Sequence, residues 1–260
     1  MTVLVIFGQI NECTMIRTMI LSLIFLLNSI TSNLPVSVIP EEGSGQTPNH
    51  ELWTRLLEKY VTDAGVVDYQ GLKASRSELD DYLHELSSHP VLESWTREEQ
   101  LSYWINAYNA YTIALILNHY PVKSIMDIDG GKPWDKVWIK LGNKSYSLNQ
   151  IENEIIRPQF KEPRIHFAIN CAAKSCPPLA NHAWVPSTLD AQLEERTKAF
   201  INNSAFNNIQ TGKVQVSRIF DWYKQDFGNL IEFLNKYSQT RIKPNAGVEF
   251  MEYNWALNGK

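Results

Sequence analysis

The sequence predicts an α+β fold: a mostly helical single domain whose buried central helix packs on a small antiparallel sheet. Three observations point there. Residues 97–119 carry apolar side chains on nearly every side, as a helix does when it runs through a core rather than over it. Residues 137–141 and 144–147 alternate apolar with polar about Gly142-Asn143, the pattern of a β-hairpin. The remaining helix and strand signals follow no βαβ rhythm and no internal repeat. With 260 residues, 44% hydrophobic content, 8 Trp, 11 Tyr and 10 Phe, the chain has material for one sizeable core.

Along the chain, residues 1–32 have the architecture of a signal peptide. Arg17 supplies the positive start, residues 19–27 an apolar run too short to span a bilayer, and Ser29, Thr31 and Ser32 the small residues of a cleavage site. Met15 is an alternative start. Left uncleaved, this segment is the chain's expected attachment to a membrane. Residues 33–48, rich in Pro, Gly, Ser and Glu, form a disordered linker, and residues 49–260 the single globular domain. The protein is thus expected to be exported, to a periplasmic or extracellular site.

Within the domain, Leu52, Leu56, Leu57 and Tyr60 predict a helix over 49–61, followed by a short strand at 65–69. A second amphipathic helix covers 77–87 and closes at Pro90. Thr96 and Glu99 form a capping box that opens the central helix, which Pro121 ends. After the hairpin, Ser147 and Gln150 make a second capping box for a helix to residue 157, stopped by Pro158. Residues 164–170 are expected as an apolar strand, 189–202 as a helix, 213–216 as a strand, 217–224 and 230–237 as helices, and 248–255 as a terminal strand.

The net charge of −4 is made of scattered charges of both signs, so no basic stripe offers itself to phosphates and nucleic acid is excluded as a partner. Removing the leader takes Cys13 with it and leaves Cys171 and Cys176 as the thiols of the mature chain. His166, placed with Asn170 on one face of the expected strand, and the small residues and Lys174 around the thiols provide a setting for a reactive thiolate. Cys176, on the turn before Pro177-Pro178, is the more accessible candidate nucleophile, and Glu152 is the candidate for orienting the imidazole.

Ser102, Asn106 and Asn109 share a face of an otherwise apolar helix, either lining a cleft or bracing loops through a buried polar network. In 217–228, Asp221 and Gln225 share a helical face with Asp226 just past it, and the two acids either approach the site or bind backbone donors and Arg218. An export-driven disulfide between Cys171 and Cys176 competes with the reactive-thiol reading. Zinc held by His166, Cys171, Cys176 and His182 has suitable ligand types, but the spacing matches no zinc pattern, so no metal and no cofactor are expected.

The residues 103–110 (Tyr-Trp-Ile-Asn-Ala-Tyr-Asn-Ala), the 148–157 helix with Ile151-Glu152, His166-Phe167-Ala168 through Cys171, Cys176-Pro177, 217–227 and the end Tyr253-Asn254-Trp255-Ala256-Leu257-Asn258 together resemble the family known as domain of unknown function 547, over most of residues 50–258. The resemblance implies little chemistry, since no activity defines the family. It gathers Asn106, Asn109, Glu152, His166, Cys171 and Cys176 into shared motifs, and it implies an exported bacterial member, because the coiled-coil segment of the plant relatives is absent. Tyr-Asn-Trp stands where Tyr-Asp-Trp is expected, so no acid acts at 254.

The function expected is that of a thiol-dependent hydrolase or transferase of acyl or amide bonds. Cys176 or Cys171 is the nucleophile, His166 the base, Glu152 its orienter, and Asn106 or Asn109 the oxyanion donor. The analogy is to papain-like and transglutaminase-like enzymes, which start their main helix with the Cys, as this chain does not. The alternative is a non-catalytic binding module braced by a 171–176 disulfide, in which Trp104, Tyr108, Trp134 and Trp138 hold a small molecule or peptide.

Overall fold

The computed structural model describes residues 45–260. The expected leader and the linker as far as residue 44 lie outside the described residues. The first helices are α1 (Glu51–Tyr60), α2 (Tyr69–Ala74), α3 (Arg76–Ser88) and α4 (Arg97–His119). The central helix starts where its sequence says it should. Thr96 Oγ1 accepts the Glu99 N–H at 3.2 Å while Glu99 Oε2 accepts the Thr96 N–H at 2.7 Å, which satisfies two orphan donors of the first turn. From Leu101 to Leu117 every residue of α4 is buried, so the helix has no solvent face through that stretch. The strand expected at 65–69 gives way to α2: Val67 makes only isolated bridges to Val61 and Gly259, and Asp68 caps the helix by accepting the Gly71 N–H at 2.9 Å.

The hairpin forms as β1 (Ile139–Leu141) and β2 (Lys144–Tyr146), antiparallel with Leu141 opposite Lys144. Gly142 holds its turn at φ 60°, and a Cβ there would stand 2.9 Å from Pro90 Cγ, so both conformation and space require glycine. The hairpin is not a floor under α4. That helix packs against α2, α3 and the segment after the hairpin, and reaches β1 chiefly through Tyr111, whose hydroxyl donates to the Lys140 carbonyl at 3.2 Å. The α+β class holds, with helices and loops doing most of the wrapping.

After Ser147 and Gln150 exchange hydrogen bonds at 3.0 and 3.1 Å, the chain winds as a π-helix (Gln150–Ile156) that runs on into α5 (Arg157–Phe160). Pro158 therefore does not stop the helix. The wide π turn precedes it, and it occupies the start of the following α turn, where a missing N–H is tolerated. Residues 164–170 also depart from expectation, forming a 3-10 turn (Pro163–Phe167) rather than a strand. Pro163 opens it, Glu162 accepts the Arg164 N–H at 3.1 Å, and no neighbouring strand pairs with it among the described residues.

The rest comprises α6 (Leu189–Ile201), β3 (Asn208–Ile209), β4 (Lys213–Val216), α7 (Ile219–Trp222), α8 (Lys224–Phe227), α9 (Leu230–Tyr237) and β5 (Gly247–Phe250). The strands lie in the order β3-β4-β5; the first pair is antiparallel, but β4 and β5 run parallel, with Lys213 opposite Gly247. The terminal strand ends at Phe250 instead of 255, and the chain continues as an irregular strap tied down by Leu257 N–H to the Lys123 carbonyl and Asn258 N–H to the Ala172 carbonyl. The helix expected over 217–224 breaks at Tyr223 into α7 and α8.

Two apolar clusters result, one around α4 and one in which Phe167, Phe200, Phe220, Phe227 and Phe233 pack together. The 3-10 turn joins them, since Ile165, Ala168 and Ile169 belong to the first and Phe167 to the second. His166 sits at that junction.

Candidate functional site

The thiols are presented by the turn after Ile169, and Asn170 is its hub. The Asn170 N–H donates to Asn109 Oδ1 at 2.8 Å and Asn170 Nδ2 to the Pro177 carbonyl at 2.8 Å. Asn170 Oδ1 accepts from the Ala172 N–H at 2.9 Å and from Asn258 Nδ2 at 3.2 Å. These bonds hold Ala172 at φ 61°, a left-handed conformation that a residue with a Cβ adopts only under constraint. Asn109 completes the clamp from α4 by donating Nδ2 to the Ala168 carbonyl at 2.9 Å.

Asn106 does the same one turn earlier, exchanging hydrogen bonds with the Trp184 carbonyl and N–H at 2.8 and 2.9 Å. Both amides are thus spent on backbone and neither lines the cleft, so neither is placed to be the oxyanion donor expected of it. Asn109→Ala strands a buried carbonyl and a buried N–H, and is expected to destabilise the fold by about 2–5 kcal/mol in urea denaturation.

Within the turn the two thiols are free and touch each other's groups. The Cys171 N–H donates to Cys176 Sγ at 2.9 Å, and the Tyr253 hydroxyl lies 3.1 Å from Cys171 Sγ. The Cys176 thiol donates to Cys171, and that hydrogen bond, joined by those of Tyr253 and the Ala173 N–H, overcomes burial and holds the Cys171 thiol below its ordinary pKa. Burial and the same hydrogen bond push Cys176 well up. Of the pair, Cys171 therefore ionises first while Cys176 holds its proton. Cys171 is also the half-buried member, whereas Cys176 is buried at 6% exposure, so the more accessible thiol is Cys171 and not the Cys176 favoured by the turn's sequence.

His166 Nε2 donates to Asp226 Oδ2 at 2.7 Å, and the same carboxylate takes Arg157 Nε at 2.6 Å and Nη2 at 3.0 Å. Burial alone would raise the Asp226 carboxyl; the hydrogen bonds and charges of His166 and Arg157 reverse this and hold it far below the usual carboxylate range. The carboxylate that meets the imidazole is thus Asp226 and not the expected Glu152, delivered by the break between α7 and α8. Tyr223, at that break, stacks on the His166 ring at 4.0 Å and lies under the Arg157 guanidinium at 4.9 Å. Because an ionised carboxylate only accepts, Nε2 carries a hydrogen in either protonation state of the ring, and Nδ1 is the nitrogen that gains or loses a proton.

His166, Cys171, Cys176, Glu152 and Tyr108 all line one cleft of about 270 Å³. Glu152, expected there, is buried at 6% exposure, and its Oε1 has no hydrogen-bond partner. Trp134, Trp222, Tyr253 and Trp255 complete the cleft as an aromatic wall. Trp222 stacks on Trp255 at 5.6 Å, and Trp255 meets Trp134 edge-on at 5.8 Å. Trp104 and Trp138 lie elsewhere, against Tyr146 and Tyr111. His182 hydrogen-bonds Asn181 and does not line the cleft, and among the described residues no cluster of His, Cys, Asp and Glu gathers for a metal ion.

The wall and Asp226 went largely unanticipated. Asp226 had appeared only as one of several acids in 217–228, and Tyr253 and Trp255 only within the terminal motif. At 254, Asn Oδ1 accepts the Ala256 N–H at 2.9 Å, an acceptor's task that an amide performs as well as a carboxylate.

No match to the chain was found among curated proteins or among solved structures. A family model does match, over a narrower span than the resemblance suggested; Asp226 and most of the aromatic wall fall beyond it. Residues 92–201, which carry α4, the π-helix, His166 and both thiols, belong to the family described as "Protein of unknown function, DUF547".

Proposed function

We propose that this protein is a thiol-dependent hydrolase or transferase of acyl or amide bonds, with Cys171 as nucleophile and His166, oriented by Asp226, as its acid and base. The observation that carries the reading is the thiolate-stabilising set of donors on Cys171, in the same cleft as a His166–Asp226 pair. In the step proposed, the Cys171 thiolate attacks the substrate carbonyl carbon and a C–S bond forms. The bond to the leaving amine or alcohol then breaks as that group takes the Nδ1 proton of the His166 imidazolium, which leaves the ring neutral and ready to act as base. Water, giving its proton to His166, or an acceptor nucleophile cleaves the thioester and returns the thiolate.

As charge passes from sulfur to the carbonyl oxygen, the Tyr253 hydroxyl, 3.1 Å from Cys171 Sγ in the resting site, is released to follow it. The leader-like segment about Arg17 and residues 19–27 supports action outside the cytoplasm.

Incubation with p-nitrophenyl acetate, an acid quench and peptide mapping test the proposal. The acetyl group is expected on Cys171. Acetylation confined to Cys176, or absent, contradicts it. The aromatic wall favours a second reading, a non-catalytic binding module, and ligand binding without any acyl-enzyme is the result that selects it.

A further inference from the structure

The cleft holds one feature that thiol chemistry does not use. Glu152, on the π-helix, is more than nine-tenths buried, lines the cleft and leaves Oε1 without a partner among the described residues. A buried carboxylate oxygen left unpaired is costly, and in a native fold it calls for a further partner such as an ion, a water or a ligand.

Its surroundings say what kind. Tyr108 and Tyr223 stand close enough to Glu152 for its charge to raise both phenols further, after burial has already done so. Trp134, Trp222 and Trp255 present ring faces and edges to the same space. The other acids of the cleft point the same way. Asp135 lines it, and Asp226 is already paired with Arg157 and His166. Among the described residues no Lys or Arg lines the cleft. An aromatic-walled cavity of about 270 Å³ with Glu152 and Asp135 in its lining suits a small organic cation: ring faces attract it, the carboxylate pairs with it, and no Lys or Arg of the lining repels it.

We propose that the cleft binds substrates through an ammonium group, primary or quaternary, seated between Glu152 and the Trp134, Trp222 and Trp255 rings. This deepens the thiol-enzyme reading, since the cation then belongs to the acyl compound or its acceptor. The binding itself does not need the thiol.

The test is titration of the purified protein with choline and with n-butylamine, followed by calorimetry and by tryptophan fluorescence. The neutral isosteres 3,3-dimethylbutan-1-ol and butan-1-ol serve as controls. At least one cation is expected to bind about tenfold or more tighter than its isostere. Glu152→Gln is expected to lose that preference while still binding the alcohol, and Cys171→Ser to keep it. Equal binding of cation and isostere by the unmodified protein, no binding of either cation, or a preference that survives Glu152→Gln overturns the proposal. If the preference is found in Cys171→Ser while no acyl-enzyme forms in the unmodified protein, the cation site stands and the thiol reading falls.

Discussion

Cys171→Ser is expected to abolish acyl-enzyme formation and to lower turnover by at least about 10⁴-fold, the scale seen when an enzyme loses its nucleophile. The fold should persist, because Cys171 is half-buried and the turn is held by Asn170 and Asn109 rather than by sulfur. Cys176→Ala gives the contrasting result. It leaves the nucleophile but removes the thiol that donates to it, so Cys171 loses the foremost cause of its lowered pKa and reacts more slowly near neutral pH. Reversal of that order, with Cys171→Ser active and Cys176→Ala dead, would restore the nucleophile the sequence first suggested. Intact mass after an acyl donor, with circular dichroism for the fold, measures both.

The second large effect is expected at Asp226, a positioning residue that acts through His166. Asp226→Asn keeps the size but turns one acceptor into a donor facing His166 Nε2, which favours the tautomer with its hydrogen on Nδ1, the nitrogen needed as base. kcat is expected to fall by about 10²–10⁴-fold, with KM little changed. Asp226→Glu should recover part of the loss and shift the pH profile, responses that a merely structural carboxylate would not give.

The same carboxylate couples the site to acid stability. Its folded pKa lies below the ordinary 3.8, so its contribution is present above that value and is lost as pH falls below it toward the folded pKa. The Asn variant lacks that acid-sensitive contribution.

How much of this was legible in the sequence depends on where the deciding interaction lies. The central helix was legible because its start is fixed three residues away, by Glu99 answering Thr96, and its burial is written in its own side chains. The strand at 213–216 and the helix at 230–237 appear with the bounds expected, as does the short hairpin within a residue or two. Residues 164–170 failed because their apolar alternation suits a strand only if a neighbour pairs with it. What fixes them instead is Asn109, some sixty positions earlier, gripping the Ala168 carbonyl and the Asn170 N–H.

The site followed the same rule. His166, both thiols, Glu152 and Tyr108 were named from the chain and do share the cleft. Their roles were not legible, because burial decides which thiol leads, and a helix break at Tyr223 decides which carboxylate meets the imidazole. Asn106 and Asn109 were recognised as anomalous on an apolar helix, and the bracing of loops, one of two readings left open, is where the structure puts them.

The proposed chemistry depends most directly on Cys171 being the thiol of the pair that ionises first. The rate of alkylation by iodoacetamide, followed against pH with the labelled peptide mapped, measures this in the unmodified protein. The expected result is labelling at Cys171 with a midpoint below the ~8.5 of a free cysteine, while Cys176 stays unlabelled until the protein unfolds. A midpoint at or above that of a free thiol, or Cys176 reacting first, would contradict the account.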